Sequence, residues 1–289
     1  MKRLLIIGCG DVALRTIPLL AQRYQVYAMI RNPGYCAKLR ALGVIPVPGD
    51  LDDRSSLERI KGWAEVVLHF APPPSLGIRD MRTLHLLAAL SNGSLPGQFI
   101  YISTSGVYGD CAGQWVSETR ALNAKNLRAS RRVDAEQQIR AWAKINHVRA
   151  SILRVPGIYA ADRLPLDRLR AGTPAILASE DGYSNHIHAD DLARIVAAAL
   201  RFGKANRVYH ATDDDQMKMG DYFDAVADAY HLPHPSRLSR TQVQAQVSPM
   251  LWSFMSESRR LTNARMKQEL KVKLRYPTVS DTLSKVTGS

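Results

Sequence analysis

The sequence is short of the features that mark secreted, membrane-spanning or fibrous proteins. It holds three cysteines, Cys9, Cys36 and Cys111, an odd number without metal-ligand spacing. Neither a disulfide framework nor a zinc site is therefore expected, and each thiol reads as a small buried hydrophobe. No apolar run approaches the ~20 residues that cross a bilayer. Residues 1–8 have the basic start of a signal peptide, but the apolar stretch at 4–7 breaks at once into glycines with no cleavage site behind it. It reads as a strand, and the protein is expected in the cytoplasm with no membrane partner. Low-complexity tracts and short-period repeats are missing too, and a composition of 46% apolar and 22% charged residues is that of an ordinary globular protein. Acidic residues are scarce: 26 against 39 lysines and arginines leave a formal charge of +13. That balance favours anionic partners. The basic residues are nevertheless spread along the chain, with no aromatic-interleaved basic stretch, so a solvated basic surface is expected rather than nucleic-acid binding.

What the chain does have is alternation. Short β-type runs at residues 4–7, 25–30, 44–47, 65–70, 99–102 and 150–155 are separated by helical stretches at 11–23, 32–42, 55–60, 81–90 and 129–145. Pro18 predicts a kink or an early stop in the first helix. Strands and helices at this spacing form βαβ units. The predicted class is α/β, a Rossmann-type doubly wound parallel sheet with a smaller C-terminal, substrate-side region. Beyond residue 155 Pro, Gly and Asp become frequent, and helices at 190–202 and 222–230 follow less regularly. The expected division is 1–155 for dinucleotide binding and 156–289 for the substrate side, packed on the first part and interleaved with it.

Gly8-Cys9-Gly10-Asp11-Val12-Ala13 is a G-x-G-x-x-A run directly after the first strand and before the first helix. Gly8 permits the tight turn, Gly10 lets the backbone approach a diphosphate, and Ala13 lets helix and strand pack closely. The helix start at Asp11 and Val12 offers free N–H groups to the phosphate charge. An NAD site usually ends the second strand with an acid on the ribose hydroxyls; here the strand ends Tyr27-Ala28-Met29-Ile30-Arg31. Arg31 could meet a 2′-phosphate instead, so NADP is expected ahead of NAD. Topology places Asp50 and Leu51 at the adenine, and Ala71 and Pro72 beside the cofactor.

Several segments together resemble the extended short-chain dehydrogenase/reductase superfamily, which includes nucleotide-sugar epimerases and dehydratases. The carriers are the glycine turn, Gly49-Asp50-Leu51, Tyr101-Ile102-Ser103-Thr104-Ser105-Gly106-Val107-Tyr108-Gly109, Leu153-Arg154-Val155-Pro156-Gly157-Ile158-Tyr159 and Ile187-His188-Ala189-Asp190-Asp191-Leu192. Further on come Ser258-Arg259-Arg260-Leu261-Thr262-Asn263 and Tyr276-Pro277, so the likeness covers most of the chain in order. The resemblance implies that Thr104 binds the reacting oxygen, with Ser105 and Tyr108 as neighbours, and that Thr104 and Pro156 border the cofactor. It also implies a Tyr-x-x-x-Lys pair for proton transfer on the next long helix. None of the 11 tyrosines is followed four residues later by a lysine. Counting back from Glu136 puts Arg128 and Arg132 at those two positions, and an arginine cannot shuttle a proton as a phenol does. The likeness is therefore to the atypical, epimerase-like branch. It also implies a homodimer joined through the helices at 81–90 and 129–145.

Two functions follow. One is an oxidoreductase or epimerase-like enzyme acting on a small molecule of the nucleotide-sugar kind. Its reacting groups would be Thr104, Ser105 and Tyr108, with His186 or His188 opposite as proton carriers. The other is a non-catalytic NADP binder, structural or redox-sensing, in which Arg128 and Arg132 clamp an anion. His188 also suits a structural place opening a helix, and the His-x-His spacing lacks a third ligand, so no metal is expected. Residues 164–170 add Arg168 and Arg170, which could meet a phosphate or remain on the surface.

Overall fold

In the computed structural model, which describes residues 1–287, the alternation closes into one sheet of seven parallel strands. The first five are β1 (Lys2–Ile7), β2 (Tyr24–Ile30), β3 (Ile45–Pro48), β4 (Val66–His69) and β5 (Gln98–Thr104). Then come β6 (Trp115–Val116), β7 (Arg149–Val155), β8 (Gly157–Tyr159), β9 (Ala175–Ile176), β10 (His186–His188) and β11 (Arg207–His210), followed by β12 (Arg237–Leu238) and β13 (Arg260–Leu261). The sheet runs β11-β7-β5-β4-β1-β2-β3, while β10 pairs with β8, β12 with β9 and β13 with β6. The chain works outward from β1 to β3, crosses back to β4, and works outward the other way. Between β1 and β4 the order reverses, and a crevice opens at the strands' carboxyl ends.

Both faces of the sheet are covered, which is why its central strands read as unbroken apolar runs. Leu4 and Ile6 pack against α1 (Asp11–Leu20), α6 (Ala189–Phe202) and α10 (Ala264–Leu270). Leu5 and Ile7 point the other way, onto α3 (Met81–Leu90) and α4 (Leu127–Ile145). Asp80 caps α3 by accepting from Thr83 N at 3.1 Å, and Asn126 caps α4 by accepting from Ala129 N at 2.9 Å.

Four expectations need adjusting. The first helix ends at Leu20, two residues past Pro18, and not at residue 23. Residues 32–42 split into a 3₁₀ turn and α2 (Cys36–Ala41), and residues 54–60 form a 3₁₀ segment capped by Asp53. The seventh strand, β11, comes from the stretch after residue 155, where four residues carry too little periodicity to announce it. The remaining elements, α5 (Leu166–Arg170), α7 (Met219–Ala229), α8 (Arg240–Gln246), α9 (Pro249–Met255) and α11 (Ser280–Thr287), gather beyond the carboxyl edge of the sheet. Among the described residues no helix is long and apolar enough to cross a membrane.

Candidate cofactor and substrate clefts

The crevice at the switch point is a cleft of about 570 Å³ bordered by the carboxyl ends of β1 to β4. Its floor is set by the turn after β1. Gly8 has φ +91°, and a Cβ there would lie 2.5 Å from Ala71 N and 2.7 Å from Ala71 Cα. The close approach is fixed by Phe70 and Ala71, whose N–H groups both donate to Ile7 O, at 2.8 and 2.9 Å. Gly10 is different: its φ of −92° suits any residue, and nothing lies within 4 Å of the place where a Cβ would stand. Here α1 begins without a side-chain cap, so its first N–H groups face the cleft. Ala13 is buried against the sheet.

Asp11 in the first turn would repel an anion were it not engaged. Arg163 Nη1 donates to Asp11 Oδ2 at 2.7 Å and Arg15 Nε to Oδ1 at 2.9 Å. Burial works against the Asp11 charge, but these two guanidinium groups outweigh it and hold the carboxyl below its ordinary value. At the other end, past β2, Arg31 and Arg82 both line the cleft. Arg82 is held by Asp52, with Nε and Nη2 at 2.8 and 2.6 Å from its oxygens.

Gly8, Gly10, Asp11, Val12, Ala13, Arg31, Asp50, Leu51, Ala71 and Pro72 all line this first cleft. Arg132, expected on the substrate side, lines it too, with Nη1 donating to Tyr101 Oη at 2.9 Å and to Ile102 O at 2.8 Å. A second cleft of about 600 Å³ adjoins the first, sharing Ile158 and Arg163 with it. Thr104, Ser105, Arg128, Pro156 and His186 line this second space, so Thr104 and Pro156, expected to border the cofactor, face the second cleft and not the first. Thr104 Oγ1 accepts from Gly106 N at 3.2 Å, fixing the turn. His186 lies beside the Tyr222 ring, centroids 4.3 Å apart, and burial pushes its imidazole down to about 4. Its Nε2 is 3.2 Å from Ser184 Oγ, and its Nδ1 has no partner among the described residues.

Two expected residues line neither cleft. Tyr108 is turned inward: Arg154 Nη1 donates to its oxygen at 2.6 Å, and the phenol lies 2.6 Å from His210 Nε2. His210 Nδ1 is 2.9 Å from Thr262 O, so one run of donors, Arg154 to Tyr108 to His210 to Thr262, satisfies every member. Arg154 is anchored in turn by Glu136, Nη2 to Oε2 at 2.6 Å. The phenol is consequently occupied and out of reach of a ligand. His188 caps α6, its Nδ1 accepting from Asp190 N at 3.2 Å while its ring stacks on Tyr276 at 3.8 Å. That is the structural place open to it from the sequence. Arg82, Arg163, Asn126 and Tyr222 were given no site role from the sequence but line the clefts, as do Asn185 and Tyr159. Arg82 and Arg163 meet partners 30 and 152 residues away, which no local pattern announces, whereas Asn126 is a local cap of α4. Among the described residues no cluster of three or more His, Cys, Asp or Glu could hold a metal.

A glycine turn at the switch point of a doubly wound sheet, with a second cleft laid beside it by the C-terminal elements, defines an extended short-chain dehydrogenase/reductase. More particularly, the chain belongs to the NAD dependent epimerase/dehydratase family, which residues 15–211 match. The matched stretch starts after the glycine turn, which rests on its own geometry. Human dTDP-D-glucose 4,6-dehydratase is 22% identical over 248 residues, 75% of this chain and 71% of that protein. Among solved structures, a functionally unknown conserved protein from Silicibacter pomeroyi is 28% identical with a TM-score of 0.81, over 100% of this chain and 99% of that one. A UDP-glucuronic acid 4-epimerase mutant from Bacillus cereus, in complex with UDP-4-deoxy-4-fluoro-glucuronic acid and NAD, superposes with a TM-score of 0.78 at 19% identity, over 99% and 98%. A nicotinamide dinucleotide suits the first cleft: the open backbone at Gly10 and the uncapped start of α1 leave room and donors for a diphosphate.

Proposed function

We propose that the protein binds NADP in preference to NAD, as an oxidoreductase or epimerase-like enzyme working without the Tyr-x-x-x-Lys pair. Its substrate would be a small molecule of the nucleotide-sugar class, held in the second cleft. The observation that carries this reading is the first cleft itself. A bare backbone at Gly10 meets an uncapped helix start at one end, and Arg31 and Arg82 stand at the other. A planar guanidinium there suits a 2′-phosphate as an acidic residue would not. When bound, the dinucleotide supplies hydride acceptance and donation. The chain's own part is to orient substrate and handle protons. Thr104 and Ser105 present hydroxyls in the second cleft, and His186, uncharged at neutral pH, presents an imidazole there. Arg128 keeps its charge and can position a ligand but cannot exchange a proton.

A non-catalytic, structural or redox-sensing role has one observation in its favour. Arg132 is committed to Tyr101 and Ile102, so the long helix offers a fixed cation where the resemblance implies a proton-transfer pair. Titrating the protein's fluorescence with NADPH and with NADH tests the shared part of both readings. No change with either nucleotide sinks them together. Turnover of a nucleotide-sugar panel, set against Thr104→Ala, then separates enzyme from binder. Equal background rates in the two proteins leave the binder.

A further inference from the structure

Four arginines line the second cleft, and Glu257 is its one carboxylate among the described residues. Arg259 Nη1 donates to Glu257 at 2.6 Å, and Arg163 is paired with Asp11. That leaves Arg128 and Arg168. Arg128, at the first turn of α4, stands at the rim with its guanidinium 4.7 Å from the centre of the Phe254 ring. Arg168, on α5, lies 4.0 Å over the Phe223 ring, and its Nη2 reaches only Met255 Sδ, at 3.1 Å. Its Nε is buried with no acceptor among the described residues. Phe254 and Met255 are consecutive on α9, so two guanidinium groups from separate helices converge on one helix end.

For the half-buried Arg168 this is an unusual state, whereas Arg128 is exposed at the rim. A planar fork of five donors, once taken out of water, is normally met by carboxylates or carbonyls, while a ring face and a thioether are poor substitutes. The same chain shows the ordinary solution at Arg154, which donates to both oxygens of Glu136, to Tyr108 and to Glu118 O. No carboxylate does this for Arg128 or Arg168. Burial lowers Arg168 to about 10, with Asp181 acting on it only through its field, while at the exposed Arg128 partial desolvation by its neighbours and repulsion from Arg132 lower the guanidinium. Arg132, one turn along α4, lines the cofactor cleft, so Arg128 stands near the junction of the two spaces.

We propose that Arg128 and Arg168 form an anion subsite in the second cleft, taking a carboxylate or phosphate carried on the substrate close to the cofactor cleft. The proposal rests on reading the second cleft as the substrate site. It narrows the substrate class, since a ligand presenting a neutral sugar at this end would leave both cations unmatched. Aromatic faces of Phe223, Phe254 and Tyr222 wall the subsite and suit the carbon skeleton that bears the anion.

The test uses the full-length protein at low ionic strength, with and without saturating NADPH. Inorganic phosphate and oxalate serve as calorimetric probes, and chloride at matched ionic strength is the baseline. At least one probe is expected to bind above that baseline, and Arg128→Gln and Arg168→Gln to weaken it about 10- to 100-fold, the worth of a charged hydrogen bond. Arg170→Gln, on the outer side of α5, should leave it unchanged. Tighter phosphate assigns a phosphate source, and tighter oxalate a carboxylate. Arg168→Met supplies a second readout, because removing an unmatched cation should hold or raise the urea midpoint while abolishing probe binding. Probe binding no stronger than chloride, parent-like binding in both Gln variants, or a lower midpoint in Arg168→Met overturns the assignment. Loss of the cofactor reading would register separately, as anion binding by a protein whose fluorescence does not change with NADPH.

Discussion

Gly8 and Gly10 sit two residues apart in one turn, yet the structure gives them opposite surroundings, and alanine at each separates the two. Gly8→Ala puts a Cβ 2.5 Å from the Ala71 backbone nitrogen at φ +91°. The left-handed backbone costs an L-residue ~1–2 kcal/mol, and forcing a methyl into packed backbone adds ~1–3. A loss of roughly 2–5 kcal/mol lowers the Tm by about 5–15 °C for a chain of this length. Gly10→Ala meets nothing within 4 Å and keeps an ordinary φ of −92°, so stability should move by less than about 0.5 kcal/mol. Its methyl instead fills the space a diphosphate needs against the start of α1. Dinucleotide affinity should fall about tenfold or more, and further with Gly10→Leu, as binding to bare backbone N–H groups is lost. Urea unfolding and fluorescence titration with NADPH read the two effects on the same samples. The reasoning fails if Gly10→Leu binds NADPH like the parent, or if Gly10→Ala unfolds as readily as Gly8→Ala.

Three further outcomes are expected. Arg31→Ala should weaken NADPH about tenfold through loss of a charged contact and leave NADH within about twofold; parallel losses for both nucleotides would remove the 2′-phosphate from the argument. Arg154→Met strands Glu136, whose side chain is 2% exposed, and should cost about 3–5 kcal/mol in urea unfolding. Adding Glu136→Leu should restore part of that loss, and an additive double variant would contradict a coupled pair. His69 and His210 are held neutral by burial, both pushed down to about 3. Each folded value lies below the unfolded ~6.5, so their contribution to stability is whole above that pH. Each contribution declines by up to about 1.4 kcal/mol per unit as the pH drops toward the folded value. Imidazole nitrogen shifts at pH 5 should show both rings uncharged and His234, raised by its hydrogen bond to Asp228, protonated; a protonated His210 at that pH would break the donor run through Tyr108.

Much of the fold was legible because its information is local. A strand buried on both faces must be apolar throughout, and a helix on the sheet must repeat its apolar residues at helical spacing. Helix α3 was expected at 81–90 and is Met81–Leu90. The glycine turn was equally readable, since its backbone demands fall on adjacent residues. Where local signal ran thin, as at β11 and after Pro18, element bounds or existence were missed.

The site divides along the same line. The chain alone settled that no tyrosine stands four residues before a lysine, and that an arginine, Arg31, follows the second strand. It could not settle where side chains turn once distant segments meet. Tyr108 looked available beside Thr104, but Arg154 and His210, 46 and 102 residues further on, draw its phenol into the interior. Arg163 reached Asp11 across 152 residues, and Arg168 came to lie against a helix 87 residues away. Sequence fixes which donors and charges exist, because that is covalent. Only the folded chain decides which of them find partners and which are left facing an open cleft, because desolvation and pairing depend on neighbours that topology supplies.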